Sequence, residues 1–296
     1  MITQTGSTVP RRQLGRHLRR LRKQARITVK AASEALRWSP PKIWRIERGT
    51  TSTSAPDVAA MCRVYGASPQ LTAMLVGFAK ETRKDGWWHA YGEAMRDWFE
   101  AYVSLESAAT RLRKYEPQLV PGLLQTEAYA TEIFRLSRPG RPQAERDSAV
   151  ALRLARQKAI FDREVSRQTQ LDIVLDESVL RRPFLDGAGM AAQLWHMNMI
   201  SRRSHVTLRV LPFSAGLYRA ELANGGFTIL EFGTESFEQP AEPTIVYSEG
   251  LTGALYLEKP AEVARYDEAW VSMHGACLSE AQSRELIASL AKEHAP

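Results

Sequence analysis

The segment Thr28–Gly49 reads TVKAASEALRWSPPKIWRIERG and predicts two short helices joined by a tight turn. Thr28 is a residue type that caps the start of a helix, and the alanine-rich run behind it extends to Leu36. Ser39 caps the next helix, whose first position is a proline, where the missing N–H costs nothing. Gly49 suits the turn that ends a helix. This order of elements is the helix-turn-helix plan, in which the second helix enters the major groove of DNA.

The two faces of the predicted motif differ in chemistry. The apolar residues expected to point inward, and so to set the angle between the helices, are Ala32, Leu36, Ile43 and Ile46. The residues expected to point outward are Pro40, Pro41, Trp44 and Arg45. Arg45 is the outward side chain able to make a bidentate contact with guanine O6 and N7. The remaining residues of the predicted DNA-facing set are Ser39, Lys42 and Arg48, which are placed for phosphates, and Thr28, Val29 and Lys30 at the start of the first helix.

Further helices flank this motif. Leu14, Leu18 and Leu21 recur at helical spacing opposite a strongly basic face, and Pro56 and Pro69 open two more predicted helices. The predicted organisation is a flexible basic tail over residues 1–12, a five-helix DNA-binding domain over residues 13–83, and a second domain over residues 84–296.

The basic residues are concentrated at one end of the chain. Residues 1–50 hold thirteen Lys and Arg residues and two acids, a net charge of +11, whereas the other 246 residues carry 27 basic and 31 acidic side chains, a net charge of −4. A basic end on a mildly acidic body indicates contact with a polyanion. The alternative is a basic helix face that is simply solvated.

The residue composition of the second domain differs from that of the first, and the change begins after Gly86. Aromatic and apolar residues from Trp87 to Leu105 recur at helical spacing, which predicts a helix packed on the core of this domain or, alternatively, the wall of an apolar pocket. Further predicted helices are Thr126–Leu136, Gln143–Arg167, Gly189–Arg203, Ala261–His274 and Ser279–Glu293. Predicted strands are Gln170–Leu175, Val206–Leu211, Phe227–Phe232, Thr244–Ser248 and Ala254–Glu258. We therefore expect a mainly α chain whose second domain is α+β, with helices against an antiparallel sheet.

Two features of the second domain are typical of protein interfaces. The candidate aromatic anchors are Trp87, Trp88, Trp98, Trp195 and Trp270, although a buried core would use the same tryptophans. The candidate charged rim is a stretch rich in glutamate, with members Glu221, Glu231, Glu235, Glu238, Glu242 and Glu249.

Several classes of protein lack support in the sequence. No apolar run is long enough to span a membrane, and the N-terminal residues do not form a signal peptide, so we expect a cytoplasmic, nucleoid-associated protein. Cys62 and Cys277 are expected to be buried structural thiols. The histidines are scattered and no phosphate-loop or nucleophile motif occurs, so no metal, cofactor or catalytic activity is expected. Asp176 and Glu177 are interpreted as the cap and first-turn acid of a short helix, not as a catalytic pair.

The segment Ser39–Gly49, SPPKIWRIERG, follows a helix containing LRRLR and resembles the Xre/Cro-type helix-turn-helix of bacterial repressors over about residues 13–66. The resemblance implies that Glu47 supports the fold through a local ion pair or cap and does not bind DNA. Members commonly carry a DNA-contacting glutamine where this sequence has Val29, and often polar residues where it has two prolines. Base readout is therefore expected to rest on Arg45, with DNA shape and phosphate contacts in support.

Segments of the second domain resemble, in the same order, WhiJ-type regulators of actinobacteria. They are Tyr115–Ala130 (YEPQLVPGLLQTEAYA), Arg153–Gln157 (RLARQ), Leu175–Pro183 (LDESVLRRP), Val206–Phe213 (VTLRVLPF) and Gly225–Phe232 (GGFTILEF). The resemblance implies a regulator of development or antibiotic production. It also implies a small partner protein encoded by a neighbouring gene, in a pair likened to an antitoxin and its toxin.

The sequence thus predicts a sequence-specific transcriptional regulator that binds double-stranded DNA as a homodimer, with half-sites about 34 Å apart. Its C-terminal domain is expected to sense or bind a partner, in particular a small protein, and a small-molecule effector stays unidentified. One alternative is an antitoxin-like module whose main task is to bind a small protein, with DNA binding used for autoregulation. A second alternative is an enzyme tethered to DNA by its N-terminal domain.

Overall fold

The computed structural model describes residues 8–81, 97–216, 225–233 and 242–294. The chain divides into two compact units, residues 1–90 and residues 91–296. Each unit has a hydrophobic core of its own. Part of the predicted aromatic helix, including Trp87 and Trp88, lies outside the described residues.

The first unit consists of short helices, as the sequence predicts. They are α1 Thr8–Gln24, α2 Val29–Leu36, α3 Pro40–Glu47, α4 Ala55–Val64 and α5 Pro69–Glu81. Each of the five contributes buried apolar side chains to one core, drawn from Leu14, Leu18, Ala32, Ile43, Ile46, Val58, Met61, Cys62, Leu75 and Ala79. The predicted five-helix architecture is confirmed.

The start of α1 differs from the prediction of a flexible tail. Residues 8–12 form the first turns of the helix, and Arg11 is only 4% exposed. A Cβ atom added at Gly49 would lie 2.6 Å from the Cα atom of Arg12, so these turns pack directly on the chain that follows α3. The helix therefore begins six residues before Leu14, the first residue of the leucine pattern that predicts it.

The second unit contains seven helices and six strands in its described residues. They are α6 Asp97–Ala108, β1 Arg111–Glu116, α7 Glu127–Ser137, α8 Gln143–Phe161, β2 Gln170–Asp176, α9 Glu177–Arg181, α10 Gly187–Ile200, β3 Val206–Leu211, β4 Phe227–Glu231, β5 Ile245–Gly250, β6 Gly253–Leu257, α11 Pro260–Ala276 and α12 Glu280–His294. The predicted α+β class is confirmed. The long helix predicted from Gln143 ends at Phe161, and a separate 3-10 turn covers Val165–Arg167.

The six strands form one mixed sheet in the order β3-β2-β1-β4-β5-β6. The pairings β1–β4, β4–β5 and β5–β6 are antiparallel, as expected, but β1–β2 and β2–β3 are parallel. The difference arises because helices lie between β1 and β2 and between β2 and β3, and such crossovers return the chain in the same direction. The sequence prediction missed β1, although this strand lies in the middle of the sheet.

Alternate residues of each strand point to opposite faces of the sheet. On one face, Tyr115 and Phe227 pack in a core with Trp270 of α11. On the other face, Tyr102 of α6 lies against Tyr247 of β5, with ring centroids 4.2 Å apart. Both faces of the sheet are therefore covered by helices of the same unit.

Candidate nucleic-acid interface

The two helices of the motif are capped as their sequence predicts. The hydroxyl of Thr28 accepts a hydrogen bond from the N–H of Ala31 at 3.1 Å, which satisfies a free donor at the start of α2. Arg37 ends α2 in the left-handed conformation, with φ of 55°. Ser39 occupies the N-cap position of α3, but within the described chain its side chain makes no capping hydrogen bond. The Ser39 hydroxyl is therefore available to an external acceptor or donor.

α3 presents different residues to the core and to solvent. Ile43 and Ile46 are buried together with Ala32 of α2, whereas Leu36 is half-buried. These are the four residues predicted to point inward. The exposed residues of α3 and its C-cap are Pro40, Pro41, Trp44, Arg45 and Arg48. The structure thus brings the predicted outward residues together on one solvent-facing surface.

Arg45 and Arg48 have different surroundings on this surface. The guanidinium of Arg48 lies over the ring of Trp44, with its central carbon 3.7 Å from the ring centroid. Trp44 is nevertheless 49% exposed. Arg45 is exposed, and in the described part of the chain its guanidinium has no ion-pair or hydrogen-bond partner. Its full fork of donors is therefore available for a bidentate contact.

Lys42 is engaged within its own unit. Its Nζ lies 3.3 Å from a carboxylate oxygen of Asp57 and 3.6 Å from the centroid of the Trp38 ring. The side chains of Lys42 and Asp57 are 36% and 31% exposed, so water screens this ion pair. The sequence predicts that Lys42 contacts DNA phosphates. In the structure, the carboxylate of Asp57 already offsets part of its charge.

The three residues predicted to face DNA at the start of α2 differ in exposure and charge. Lys30 is exposed, and its ammonium group is the one charge among Thr28, Val29 and Lys30. Val29 is half-buried and packs against the core of the unit. The Thr28 hydroxyl already accepts the capping hydrogen bond from Ala31.

Glu47 forms the buried ion pair that the resemblance implies. Arg22 donates from Nε and Nη2 to the two carboxylate oxygens of Glu47, each at 2.7 Å, and from Nη1 to the carbonyl of Ile27 at 2.9 Å. Tyr65 donates its hydroxyl to the same carboxylate at 3.3 Å. The hydrogen bond to Glu47 raises the pKa of Arg22, and burial together with the charge of Glu47 raises the pKa of Tyr65.

The sequence did not indicate that Arg22 is the internal partner of Glu47. Arg22 is one of the thirteen basic residues of the N-terminal segment, but its burial removes it from any surface that meets a polyanion. The spacing of Arg22 on the same helical stripe as buried Leu14 and Leu18 is the one signal that could have found it. Exposed cations of α1 and its C-terminal turn are Arg19, Arg20, Lys23 and Arg26.

The structure confirms that Asp176 and Glu177 are the cap and the first-turn acid of a short helix, α9. Asp176 caps α9 by accepting a hydrogen bond from the N–H of Ser178 at 2.9 Å. Glu177 accepts from Arg181 at 2.7 Å and from the backbone N–H of Phe213 at 2.8 Å. Among the described residues, no group of histidine, cysteine and acidic side chains could hold a metal ion.

The tryptophans considered as interface anchors divide between surface and core. Trp195 is 41% exposed, whereas Trp270 is 4% exposed and belongs to the core beneath α11. The expectation that Trp270 anchors a partner is therefore wrong. Trp87, Trp88 and the side chain of Trp98 lie outside the described residues.

The glutamate-rich stretch does not form a uniform exposed rim. Glu231 accepts a hydrogen bond from Arg113 at 2.6 Å across neighbouring strands, and Glu242 is buried. Glu249 is exposed and accepts the hydroxyl of Tyr247 at 2.9 Å. The other members, Glu221, Glu235 and Glu238, lie outside the described residues.

Two family models match the chain. A helix-turn-helix domain matches residues 13–75, which contain the motif described above. A domain of unknown function, DUF5753, matches residues 99–289, more than half of the chain. The chain belongs to the DUF5753 family. No curated protein and no solved structure matches it.

The helix-turn-helix match marks this DUF5753 protein as a DNA-binding regulator. In the described residues, no helix combines the length and the apolar character required to cross a membrane.

Proposed function

We propose that this DUF5753 protein is a sequence-specific transcriptional regulator of the Xre/Cro-like and WhiJ-type class, located in the cytoplasm at the nucleoid. The observation that supports this proposal most directly is the surface of α3. Its two isoleucines are buried, Arg45 is exposed and has no partner among the residues that the structure describes, and Arg48 is stacked on Trp44. A free guanidinium on a rigid helix is the group best suited to read guanine in the major groove.

A comparison of two exposed arginines in the same unit tests this assignment. Operator sites are first located by chromatin immunoprecipitation and sequencing. Replacement of Arg45 by alanine is expected to cost about 1–3 kcal/mol on the cognate site and to relax one base preference. Arg63→Ala, on the exposed side of α4, is the matched control and should leave the preference unchanged. Equal losses on cognate and random DNA for Arg45→Ala would show that Arg45 contacts only phosphate.

We further propose that the working species is a homodimer. One eight-residue recognition helix with two prolines and one free arginine covers few base pairs. A two-fold dimer would present two Arg45 side chains to half-sites about 34 Å apart. The expected footprint is an inverted repeat with that spacing. Sedimentation that shows a monomer both free and on a single half-site would contradict the dimer.

The C-terminal domain is proposed to bind a partner, with no catalytic role. The support is the interpretation of Asp176 and Glu177 as helix-capping and ion-pairing groups, together with the resemblance to WhiJ-type regulators. A partner that prefers one DNA-binding state would change operator occupancy by its differential affinity for that state. Turnover of a metabolite by the purified chain, with no partner that changes DNA affinity, would overturn this assignment.

An exposed apolar pair on α10 favours the antitoxin-like alternative as a second candidate function. Trp195 and Met199 stand one helical turn apart and are 41% and 63% exposed, on a helix whose sequence contains no charged residue. Exposed apolar side chains that cluster on one face are typical of protein interaction sites. If a neighbouring gene encodes a small protein, the two proteins should copurify, and a Trp195→Ser, Met199→Ser variant should lose the complex. Val271→Ser, at another exposed apolar residue, is the matched control.

A further inference from the structure

A cavity of about 260 Å³ lies between α8 and α10 of the second unit and is open to solvent. Its apolar wall is formed by Leu154 and Phe161 of α8 and by Ile200 of α10. Pockets for drug-sized ligands measure about 300–1,000 Å³, so this cavity suits a smaller molecule, such as a single ring or a short chain. The apolar wall would remove the hydrocarbon part of such a molecule from water, which favours binding.

Two polar residues of the cavity, Gln157 and His196, are uncharged. Gln157 donates from Nε2 to the carbonyls of Gly122 and Gln125, both at 2.8 Å, so the atom left over is the acceptor Oε1. The Nε2 atom of His196 is buried and has no hydrogen-bond partner among the described residues. Burial, and next the charge of Arg203, lower the pKa of His196, so its ring is uncharged at neutral pH. An ionised group of a ligand therefore gains no charge attraction from this part of the cavity.

The charged residues of the cavity are two cations and one acid, so with His196 uncharged its net charge is +1. Lys158 and Asp162 are exposed, and neither forms an ion pair with a described residue. Arg203 is exposed as well, and its Nη1 donates to the carbonyl of Phe161 at 3.3 Å. Its guanidinium lies 4.9 Å from the centroid of the Phe161 ring, which holds the cation beside the apolar wall. Nε and Nη2 of Arg203 have no partner in the part of the chain that the structure describes.

We propose that this cavity binds a small carboxylic acid with an apolar body. The body lies against Leu154, Phe161 and Ile200, and the carboxylate lies at the solvent-exposed end of the cavity. Nε and Nη2 of Arg203 donate to the two carboxylate oxygens, since the planar fork of arginine matches this group, and Lys158 supplies a second positive charge. The site does not depend on the function proposed above; if the chain regulates transcription, the acid is its effector.

Three ligands of nearly equal size and different charge test this site in the full chain. They are sodium benzoate, benzamide and benzylamine hydrochloride, titrated at constant ionic strength and followed by ligand-observed NMR. Benzoate should bind with a dissociation constant of about 0.1–10 mM, because so small a ligand makes few contacts. Benzamide should bind about tenfold more weakly, because it lacks the charge that strengthens the hydrogen bonds, and benzylamine more weakly still. Sodium hexanoate shows whether the site prefers an aromatic or an aliphatic acid.

Variants of the two cations locate the binding site. Arg203→Gln should weaken benzoate binding by about tenfold and leave benzamide binding nearly unchanged, because a charge-assisted pair of hydrogen bonds is lost. Lys158→Gln should weaken benzoate binding by about threefold, and since Lys158 is exposed and forms no ion pair with a described residue, the variant should fold. Arg202→Gln is the matched control, because Arg202 is an exposed neighbour of the same charge that does not line the cavity. This control should bind benzoate like the parent chain.

Three results would each overturn the proposal. The first is that neither benzoate nor hexanoate binds saturably below about 10 mM. The second is that the parent chain binds benzoate and benzamide equally well. The third is that the Arg203 and Lys158 variants bind benzoate no more weakly than the Arg202→Gln control. None of these measurements involves DNA, so a failure of the Arg45 experiment leaves them unaffected.

Discussion

Glu47 and Arg22 bury opposite charges inside the helix-turn-helix unit. Their side chains are 4% and 10% exposed, and the pair is bidentate. Because both ions are withdrawn from water, removal of one leaves the other without compensation. The pair therefore joins α1 to the end of α3, and the orientation of α3 depends on it.

We predict that Glu47→Gln lowers the free energy of unfolding of the N-terminal unit by about 3–5 kcal/mol, because the charge of Arg22 stays buried. The measurement is urea denaturation followed by circular dichroism. Asp57→Asn is the control, since its pair with Lys42 is about one-third exposed and should contribute less than about 1 kcal/mol. A loss for Glu47→Gln no larger than that of the control would mean that water replaces the missing interaction.

The cysteines provide a second prediction about individual side chains. Burial raises the pKa of Cys62, and it raises the pKa of Cys277 to about 12. Since the thiolate is the nucleophile, both thiols should react slowly with a disulfide reagent at pH 8 in the native chain and rapidly in urea. Cys62 is buried, as expected, whereas Cys277 is only half-buried. Fast modification of either cysteine in the native chain would contradict the raised pKa values of the two thiols.

Helices α1 and α3 approach each other through a glycine. A Cβ atom at Gly15 would lie 2.5 Å from the carbonyl oxygen of Ile46 and 2.8 Å from that of Glu47. Contacts this short require the two backbones to separate. Glu47, whose backbone lies at this contact, also forms the ion pair with Arg22 of α1, so separation of the two helices would strain that pair as well.

We predict that Gly15→Ala destabilises the N-terminal unit by roughly 1–3 kcal/mol through overpacking. Gly77→Ala, in α5 and with nothing within 4 Å of the added atom, should instead stabilise the unit by about 0.5–1 kcal/mol, because alanine is the better helix former. Thermal unfolding of both variants measures the difference. Stabilisation by Gly15→Ala as well as by Gly77→Ala would show that helix propensity, not the α1–α3 contact, controls the effect.

Charge is distributed unevenly over the two units of the chain. We predict that DNA affinity falls steeply with salt, with a slope of about −0.9 in log K against log salt for each phosphate neutralised. Residues 91–296 alone should not retard DNA, since the net charge of +11 belongs to residues 1–50. Gel-shift titrations from low to high salt measure both quantities. Retardation by the C-terminal unit equal to that of the whole chain would place the DNA site elsewhere.

Local signals in the sequence were sufficient for most helices and for the buried and exposed faces of α3. Caps such as Thr28 and prolines at first positions depend on neighbouring residues only, so they can be interpreted without a structure. The strand β1 could not be predicted in this way, because three of its six residues are cations, and the acidic partners of the two arginines lie far away in the chain. Arg111 pairs with Asp172 and Arg113 with Glu231 and Asp267.

The candidate DNA-binding surface shows the same difference between features set by neighbouring residues and features set by distant segments. The exposure of Arg45 follows from the periodicity of one helix, so it could be predicted. The ion pair of Lys42 with Asp57 and the ion pair of Arg22 with Glu47 each join separate segments of the chain. No local pattern contains that information.

The position of β1 between β2 and β4 has a consequence for synthesis of the chain. Arg113 of β1 and Glu231 of β4 are 118 residues apart, so at about 5–20 residues per second the ribosome completes β4 roughly 6–24 s after β1. Until then the edge of β1 that will bind β4 is open, and open edges recruit other chains unless charged side chains oppose this. Arg111, Arg113 and Lys114, which make β1 look unlike a central strand, are therefore expected to keep the nascent chain from aggregating until its partner strand has been made.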